Sequence, residues 1–333
     1  MNIEIIAELG QGYEGRPEQA RLLMKAAASA GADVAKYQLV YADELATPDY
    51  KYYELFKTLE MPDEVWVELD RYSKELNIQL HLDIFGTRSL LLAEKIGVSA
   101  IKLHGTDITN IALLGEVAKS NVPRIMLGAG GAHFNELWKA LEILMHKQVV
   151  IIFGFQGYPT PNEANHIARI KFVNEQLGHS YPNAFIGFAD HALPDSPLRY
   201  ALAATAIGAG AKVLEKHLTL GKVMKLEDYE SALNPDEFSE FTKVVRECGQ
   251  AFSKVYNLED FGMTEAEKGY RKMIRRHIVT SQNLKRGKTI LPTDLILKRT
   301  SAENVITDFN LIYQKKLKFD IGKNLPISTK DIE

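Results

Sequence analysis

Val213-Leu214-Glu215-Lys216-His217-Leu218-Thr219 is a short apolar run that ends in charge. It follows an Ala/Gly-rich, helix-like stretch from Leu198 to Gly210, so it reads as a strand entered from a helix. One helix earlier, Phe185-Ile186-Gly187-Phe188-Ala189-Asp190-His191 has the same form, apolar residues followed by an acid and a histidine. If the two runs are neighbouring parallel strands, His191 and His217 emerge at one end of one sheet. Neutral imidazoles paired at strand ends suit a divalent transition metal. The equally weighted alternative is two unrelated histidines packed in loops, because a pair without a third ligand is a weak metal signature.

Working outward, the same strand-then-helix unit recurs along the chain. Expected strands are Ile3–Leu9, Asp33–Leu39, Gln79–Phe85, Ala100–His104, Pro123–Gly128 and Val149–Gly154, followed by the two quoted above. Expected helices are 17–30, Glu64–Leu76, Arg88–Ile96, Ile111–Ser120, Phe134–Lys147, Asn162–Leu177, Pro197–Ile207 and Pro235–Ser253. Eight alternations over about 250 residues match an α/β (β/α)8 TIM barrel. A doubly wound sheet is the competing architecture, but Gly10-Gln11-Gly12-Tyr13-Glu14-Gly15 lacks the dinucleotide spacing and reads instead as a flexible active-site loop. The barrel is expected over residues 1–257. A polar, irregular linker is expected over 258–274, and a small, mostly β domain over 275–333, with strands at Arg276–Thr280, Asn283–Ile290 and Leu295–Arg299. So small a domain has a marginal core and leans on a neighbour.

Composition narrows the function classes. With 46% hydrophobic and 25% charged residues the chain is an ordinary globular one. A net charge of −3 without basic blocks points to no nucleic-acid or membrane partner. Cys248 is the one cysteine, so no internal disulfide forms and a cytoplasmic location is expected. No signal peptide and no stretch long enough to span a bilayer is read.

In a barrel, polar residues at strand C-termini face the reaction chamber. Here they are Glu8, Lys36, Gln38, His81, Asp83, Lys102, His104, Asp107, Gln156, Asp190, His191, Glu215 and His217. Acids, lysines and histidines converging on one mouth suit an anionic substrate with a metal for carbonyl activation. A structural salt bridge is the bland reading of each residue singly. His81, His104, His133, His146, His166 and His179 are taken as structural or solvated, and Met224 with the loop Leu220–Glu230 as a cover over the site.

Several motifs resemble the sialic acid (N-acetylneuraminate, NeuB-like) synthase family: Ile6-Ala7-Glu8-Leu9-Gly10, Gly31-Ala32-Asp33-Val34-Ala35-Lys36-Tyr37-Gln38, Ile101-Lys102-Leu103, Tyr158-Pro159-Thr160-Pro161, and the two histidine runs. Residues 275–333 are similar to that family's C-terminal SAF (antifreeze-like) domain. The resemblance implies a (β/α)8 synthase that condenses phosphoenolpyruvate with the aldehyde of an N-acetylated hexosamine, releases phosphate and forms a nonulosonic acid. It implies Mn2+ or Mg2+ on His191 and His217, with Glu8 close by. It implies that Lys36, Gln38 and Lys102 hold phosphoenolpyruvate, that Asp107 stands at a catalytic Glu position, and that Asp190 and Asp228 orient sugar hydroxyls. It implies Gln156 and Tyr158 as further substrate contacts. Arg299 stands where an SAF arginine reaches the other subunit in a domain-swapped homodimer.

The chain departs from the family pattern where Gly105, Gly128 and Ala189 replace phosphate-binding serines, Gln156 replaces an Asn, and Thr300-Ser301 replaces Pro-Gly. These changes imply a divergent branch acting on a different sugar. Backbone N–H groups of Gly105, Gly128 and Gly130 are expected to cradle the anion instead. Two rival functions stand beside the synthase: a Schiff-base pyruvate aldolase using Lys36 or Lys102, and a non-catalytic sugar-binding homologue.

Overall fold

A computed structural model of the chain describes residues 2–154, 157–178, 180–252 and 259–333. The chain falls into two compact units, Met1–Ser253 and Lys254–Glu333. In the first unit eight parallel strands close in chain order: β1 (Glu4–Gly10), β2 (Val34–Gln38), β3 (Gln79–Asp83), β4 (Ala100–Leu103), β5 (Arg124–Gly128), β6 (Gln148–Phe153), β7 (Ala184–Asp190) and β8 (Val213–His217). The helices around them are α1 (Pro17–Ser29), α2 (Ala42–Leu45), α3 (Tyr53–Leu59), α4 (Asp63–Glu75), α5 (Thr87–Ile96), α6 (Ile111–Lys119), α7 (Phe134–Ile143), α8 (Ala168–Leu177), α9 (Ala201–Gly208) and α10 (Pro235–Phe252). This is a TIM barrel, and closure removes the sheet edges that an open doubly wound sheet would leave.

The period-two alternation of each strand sorts its side chains into two layers. Ile5, Ala7 and Leu9 pack outward into the core shared with the helices, which also holds Trp66, Phe238 and Phe241. Ile6, Val34, Ala100, Met126, Val150, Ile152, Ala189 and Val213 fill the barrel interior. Two residues further along their strands, the interior positions become Glu8, Lys36, Lys102 and Glu215. The register pairs Glu8 with both Lys36 and His217. Charge at the strand C-termini is therefore aimed into the barrel mouth by the same alternation that makes the core below it.

Several expected elements differ. Helices α2 and α3 precede α4 in the connection after β2, where Glu64–Leu76 was the one helix expected. The expected helix Asn162–Leu177 is a 3-10 turn, Asn162–Asn165, and then α8, because His166 between them is left-handed with φ +44. The glycine-rich segment after β1, expected as a flexible loop, is anchored in the core at its middle. Tyr13 in its middle is fully buried, edge-on to Tyr37 and Trp66 at 6.1 and 5.6 Å, and its hydroxyl donates to the Gln38 carbonyl at 3.0 Å.

The second unit contains α11 (Glu265–Ile274) and an antiparallel pair, β9 (His277–Thr280) with β10 (Leu295–Lys298). Its core gathers Ile278, Leu284, Ile290, Ile306, Ile312 and Ile327. Within the stretch expected as an irregular linker over 258–274, Glu265–Ile274 is instead the helix α11, which a capping box opens. Glu267 N–H donates to Thr264 Oγ1 at 3.2 Å, and Thr264 N–H donates to Glu267 Oε2 at 2.7 Å. The expected boundary at 257/258 lies outside the described residues. Asn283–Ile290 is not a strand: left-handed Gly287 (φ +79) turns it, and isolated bridges Leu284–Ile321 and Thr289–Lys316 hold it.

Candidate active site

A cavity of about 500 Å³ opens at the C-terminal ends of the barrel strands, lined by residues from β1 to β8 and the loops after them. Its floor is an ionic cluster. Lys36 Nζ on β2 bonds Glu8 Oε2 on β1 and lies 2.7 Å from Asp83 Oδ1 on β3 and 3.5 Å from Glu215 Oε2 on β8. Lys102 Nζ on β4 lies 2.6 Å from Glu215 Oε1. Three carboxyls thus share two ammonium groups, and one carboxyl is left without a matching charge.

Glu8 is that group. Burial pushes its carboxyl up to about 8, with Asp83 and Glu215 adding to the rise and Lys36 and Lys102 opposing it. Burial also opposes ionisation of Asp83 and Glu215, but the two lysines outweigh it. Both stay ionised, Glu215 down at about 2. Burial disfavours the charged form of Lys36, yet the carboxylates around it hold its ammonium well above the ordinary lysine range. A Schiff-base nucleophile must be a neutral amine. Lys36 is buried and protonated, so it does not fit the aldolase role, and it lies beneath the cavity surface instead of lining it. Lys102 does reach the cavity.

Beside this cluster stand His191, just past β7, and His217, the last residue of β8 and the register partner of Glu8. Their ring centroids are 5.0 Å apart. Burial lowers both, His191 to about 4 and His217 well below the ordinary value, so both rings are neutral at pH 7. His191 Nδ1 donates to the Ala189 carbonyl at 3.1 Å, which places the tautomeric proton there. His217 Nδ1 is buried without a hydrogen-bond partner among the described residues. Tyr158 stands edge-on to both rings, its hydroxyl 3.2 Å from His217 Nε2. Among the described residues no third His, Cys, Asp or Glu completes a cluster with the pair. Two neutral imidazoles on one wall are nevertheless a donor set that suits a divalent ion.

Other expected residues fall on both sides of the division. Gln38, Asp107 and Asp228 line the cavity. Gln38 Oε1 accepts from Gln11 Nε2 at 2.8 Å, and Asp228 Oδ2 accepts from Gln11 N–H at 3.3 Å. Asp190 does not line it. Alternation turns Asp190 to the outer face of β7, where it pairs with Lys216 at 3.2 Å and caps Ala192 N–H at 2.8 Å. A role in orienting sugar hydroxyls is overturned for this residue. Gln156 and His179 lie outside the described residues, and Arg299 is exposed in the second unit. Met224 is half-exposed and does not line the cavity, whereas Asp228 from the same loop does. Asp83, Glu215 and His104, expected at the mouth without an individual task, line it, as does Gln11 of the glycine-rich segment; Glu44, which also lines it, carries no signal in the sequence reading. For Asp83, Glu215 and His104 the strand-end position was the readable signal.

Gly105 and Gly128 stand where a side chain would clash. The ends of β4 and β5 approach backbone to backbone, so a Cβ on Gly105 would lie 2.4 Å from the Gly130 carbonyl oxygen and one on Gly128 2.8 Å from Gly105 N. A Gly105→Ser variant is expected to lose about 1–3 kcal/mol of stability. Denaturant unfolding checks this, and an unchanged midpoint would show that the two turns are not in fixed contact.

The NeuB family model matches residues 23–256. The spore coat polysaccharide biosynthesis protein SpsE of Bacillus subtilis is 30% identical, over 89% of this chain and 83% of its own length. The N,N'-diacetyllegionaminic acid synthase of Campylobacter jejuni is 27% identical, over 89% of this chain and 90% of its own. The crystal structure of an N-acetylneuraminic acid (sialic acid) synthetase from Leptospira borgpetersenii superposes with a TM-score of 0.73 at 23% identity, over 82% of this chain and 92% of that one, and so bears on the fold alone.

Proposed function

The chain belongs to the NeuB family, and from that premise we propose that it condenses phosphoenolpyruvate with the open-chain aldehyde of an N-acetylated hexosamine, forming a nonulosonic acid and releasing phosphate. The observation that carries the reading is one cavity with Lys102 at its floor and the neutral pair His191 and His217 on its wall. The name of the Campylobacter relative supports a product of the sialic type.

Phosphoenolpyruvate brings a carboxylate and a phosphate, and Lys102 is the ammonium at the cavity surface that meets them. Gly105, Gly128 and Gly130 line the same side, where backbone N–H groups attract an anion without a side chain. Gln38, Tyr158, Asp107 and Asp228 offer hydrogen bonds to the sugar. Glu8 and Glu215 keep Lys36 and Lys102 in place beneath the reacting atoms. His191 and His217 would hold Mn2+ or Mg2+, which when bound would polarise the aldehyde oxygen.

The test is phosphate release from phosphoenolpyruvate with a panel of N-acetylated and unacetylated aldoses, before and after dialysis against a chelator. Release is expected only with an N-acetylated aldose, to vanish after dialysis and to return with Mn2+. Release independent of any aldose would defeat the condensation. Full turnover in chelator would defeat the metal.

A further inference from the structure

The ends of β3 and β4 hold a pair that the reading above leaves without a task. His104 Nε2 lies 2.9 Å from Asp83 Oδ2, while Asp83 Oδ1 takes Lys36 Nζ at 2.7 Å. The Asp83 carboxylate is fully buried between two lysines and ionised, so it only accepts. The Nε2–H is therefore the donor, and a neutral His104 carries its lone pair on Nδ1. The ring rests on Phe85 with centroids 5.2 Å apart, and 33% of its side-chain surface is open on a residue that lines the cavity. A buried carboxylate that sets the tautomer of a cavity-facing imidazole is the arrangement of an oriented general base. The glycine turn begins at the next residue, Gly105, so the ring stands beside the backbone surface suited to phosphate.

Building on the condensation reading, we propose that His104, oriented by Asp83, moves the proton when water adds to C2 and phosphate departs. Once C3 has bonded to the aldehyde carbon, C2 is electron-poor and the former aldehyde oxygen takes a proton from solvent. Water oxygen then bonds to C2 and loses one hydrogen to His104 Nδ1. The bond from C2 to the phosphate oxygen breaks with its electron pair going to phosphate, and His104 returns the proton to that phosphate. The remaining hydroxyl on C2 loses its proton to solvent and becomes the ketone, so the two solvent exchanges cancel. His104 starts and ends neutral.

The charged groups around the ring are Asp83, Lys36 and Lys102 beneath it, Asp107 in the turn that follows, and Asp228 and Glu44 elsewhere on the cavity wall. The test is kcat for phosphate release against pH in wild type and His104→Gln, with the phosphoenolpyruvate KM measured alongside. Wild-type kcat should fall along an acid limb. The variant should lose that limb and about 10²–10⁴-fold in kcat, with KM within a few-fold. His104→Gly supplies a second readout, since added imidazole should restore turnover. A variant with the wild-type kcat and acid limb overturns the proposal, as does a rise in KM alone or a glycine variant that imidazole does not rescue. A wild-type protein that turns over no aldose in the panel overturns the condensation reading itself, which separates the two failures.

Discussion

A Lys36→Met variant is expected to lose about 3–5 kcal/mol of folding stability at neutral pH, the cost of removing one member of a buried ionic cluster. Methionine nearly matches the aliphatic volume of lysine, so the loss comes from charge and not from a cavity. With Lys36 absent, Lys102 alone faces Glu8, Asp83 and Glu215, and its Nζ is 3.9 Å from both Glu8 and Asp83. The pH dependence identifies the cause. In the wild-type protein Asp83 and Glu215 are held below their ordinary values. Their contribution is present above the unfolded carboxyl range and is lost as pH falls through the folded values. Glu8, held up at about 8 by burial, already makes the wild-type folded state bind a proton that the unfolded one lacks. In the variant, burial without Lys36 raises Asp83 as well, so the folded state binds a further proton. That deficit is present at pH 8 and shrinks as pH falls toward 5. Urea denaturation of both proteins at pH 8 and pH 5 measures it. Equal losses at the two values would show that packing, not charge, is responsible, and a variant as stable as wild type at pH 8 would remove Lys36 from the argument.

That cluster also marks how far the sequence is legible. Alternation of short apolar runs with amphipathic helices is a repeated signal, and it specifies the closed barrel and places Glu8, Lys36, Lys102 and Glu215 at its mouth. Single-residue facing is harder to read. Asp190 and His191 are adjacent, and a shift of one residue in strand phase decides which enters the cavity. Here His191 does, and Asp190 goes to Lys216. Lys36 illustrates another limit. Sequence spacing shows that a lysine reaches the barrel interior but not whether a substrate or three carboxylates will take its charge. The partner residues lie 28, 47 and 179 positions away, and only closure brings them together. A lone histidine such as His104 usually reads as structural, and its pairing with Asp83 exists only once the ends of β3 and β4 lie side by side. Helix α11 was legible in Thr264-x-x-Glu267, but the surrounding polar residues obscured it.

His217→Ala is expected to reduce phosphate release by about 10³-fold or more while leaving the fold intact. The scale follows from several kcal/mol of Lewis-acid stabilisation lost at roughly one factor of ten per 1.4 kcal/mol. The fold is expected to survive because His217 adds little to the hydrogen-bonded framework. Its Nδ1 has no partner among the described residues, and its Nε2 contact is the Tyr158 hydroxyl at 3.2 Å. A buried polar atom left unmatched costs stability, and such a cost is tolerated where the atom serves a ligand. Two measurements separate the possibilities. Thermal unfolding with and without Mn2+ should show a stabilising shift in wild type, which mass action predicts for an ion that binds only the folded chain, and none in the variant. Turnover should fall in parallel. If the Mn2+ shift survives the substitution, the ion sits elsewhere and the imidazole pair is structural. If turnover survives while the shift disappears, the ion stabilises the fold without serving the chemistry, and activation of the aldehyde must fall to the hydrogen-bonding residues Tyr158 and Asp228.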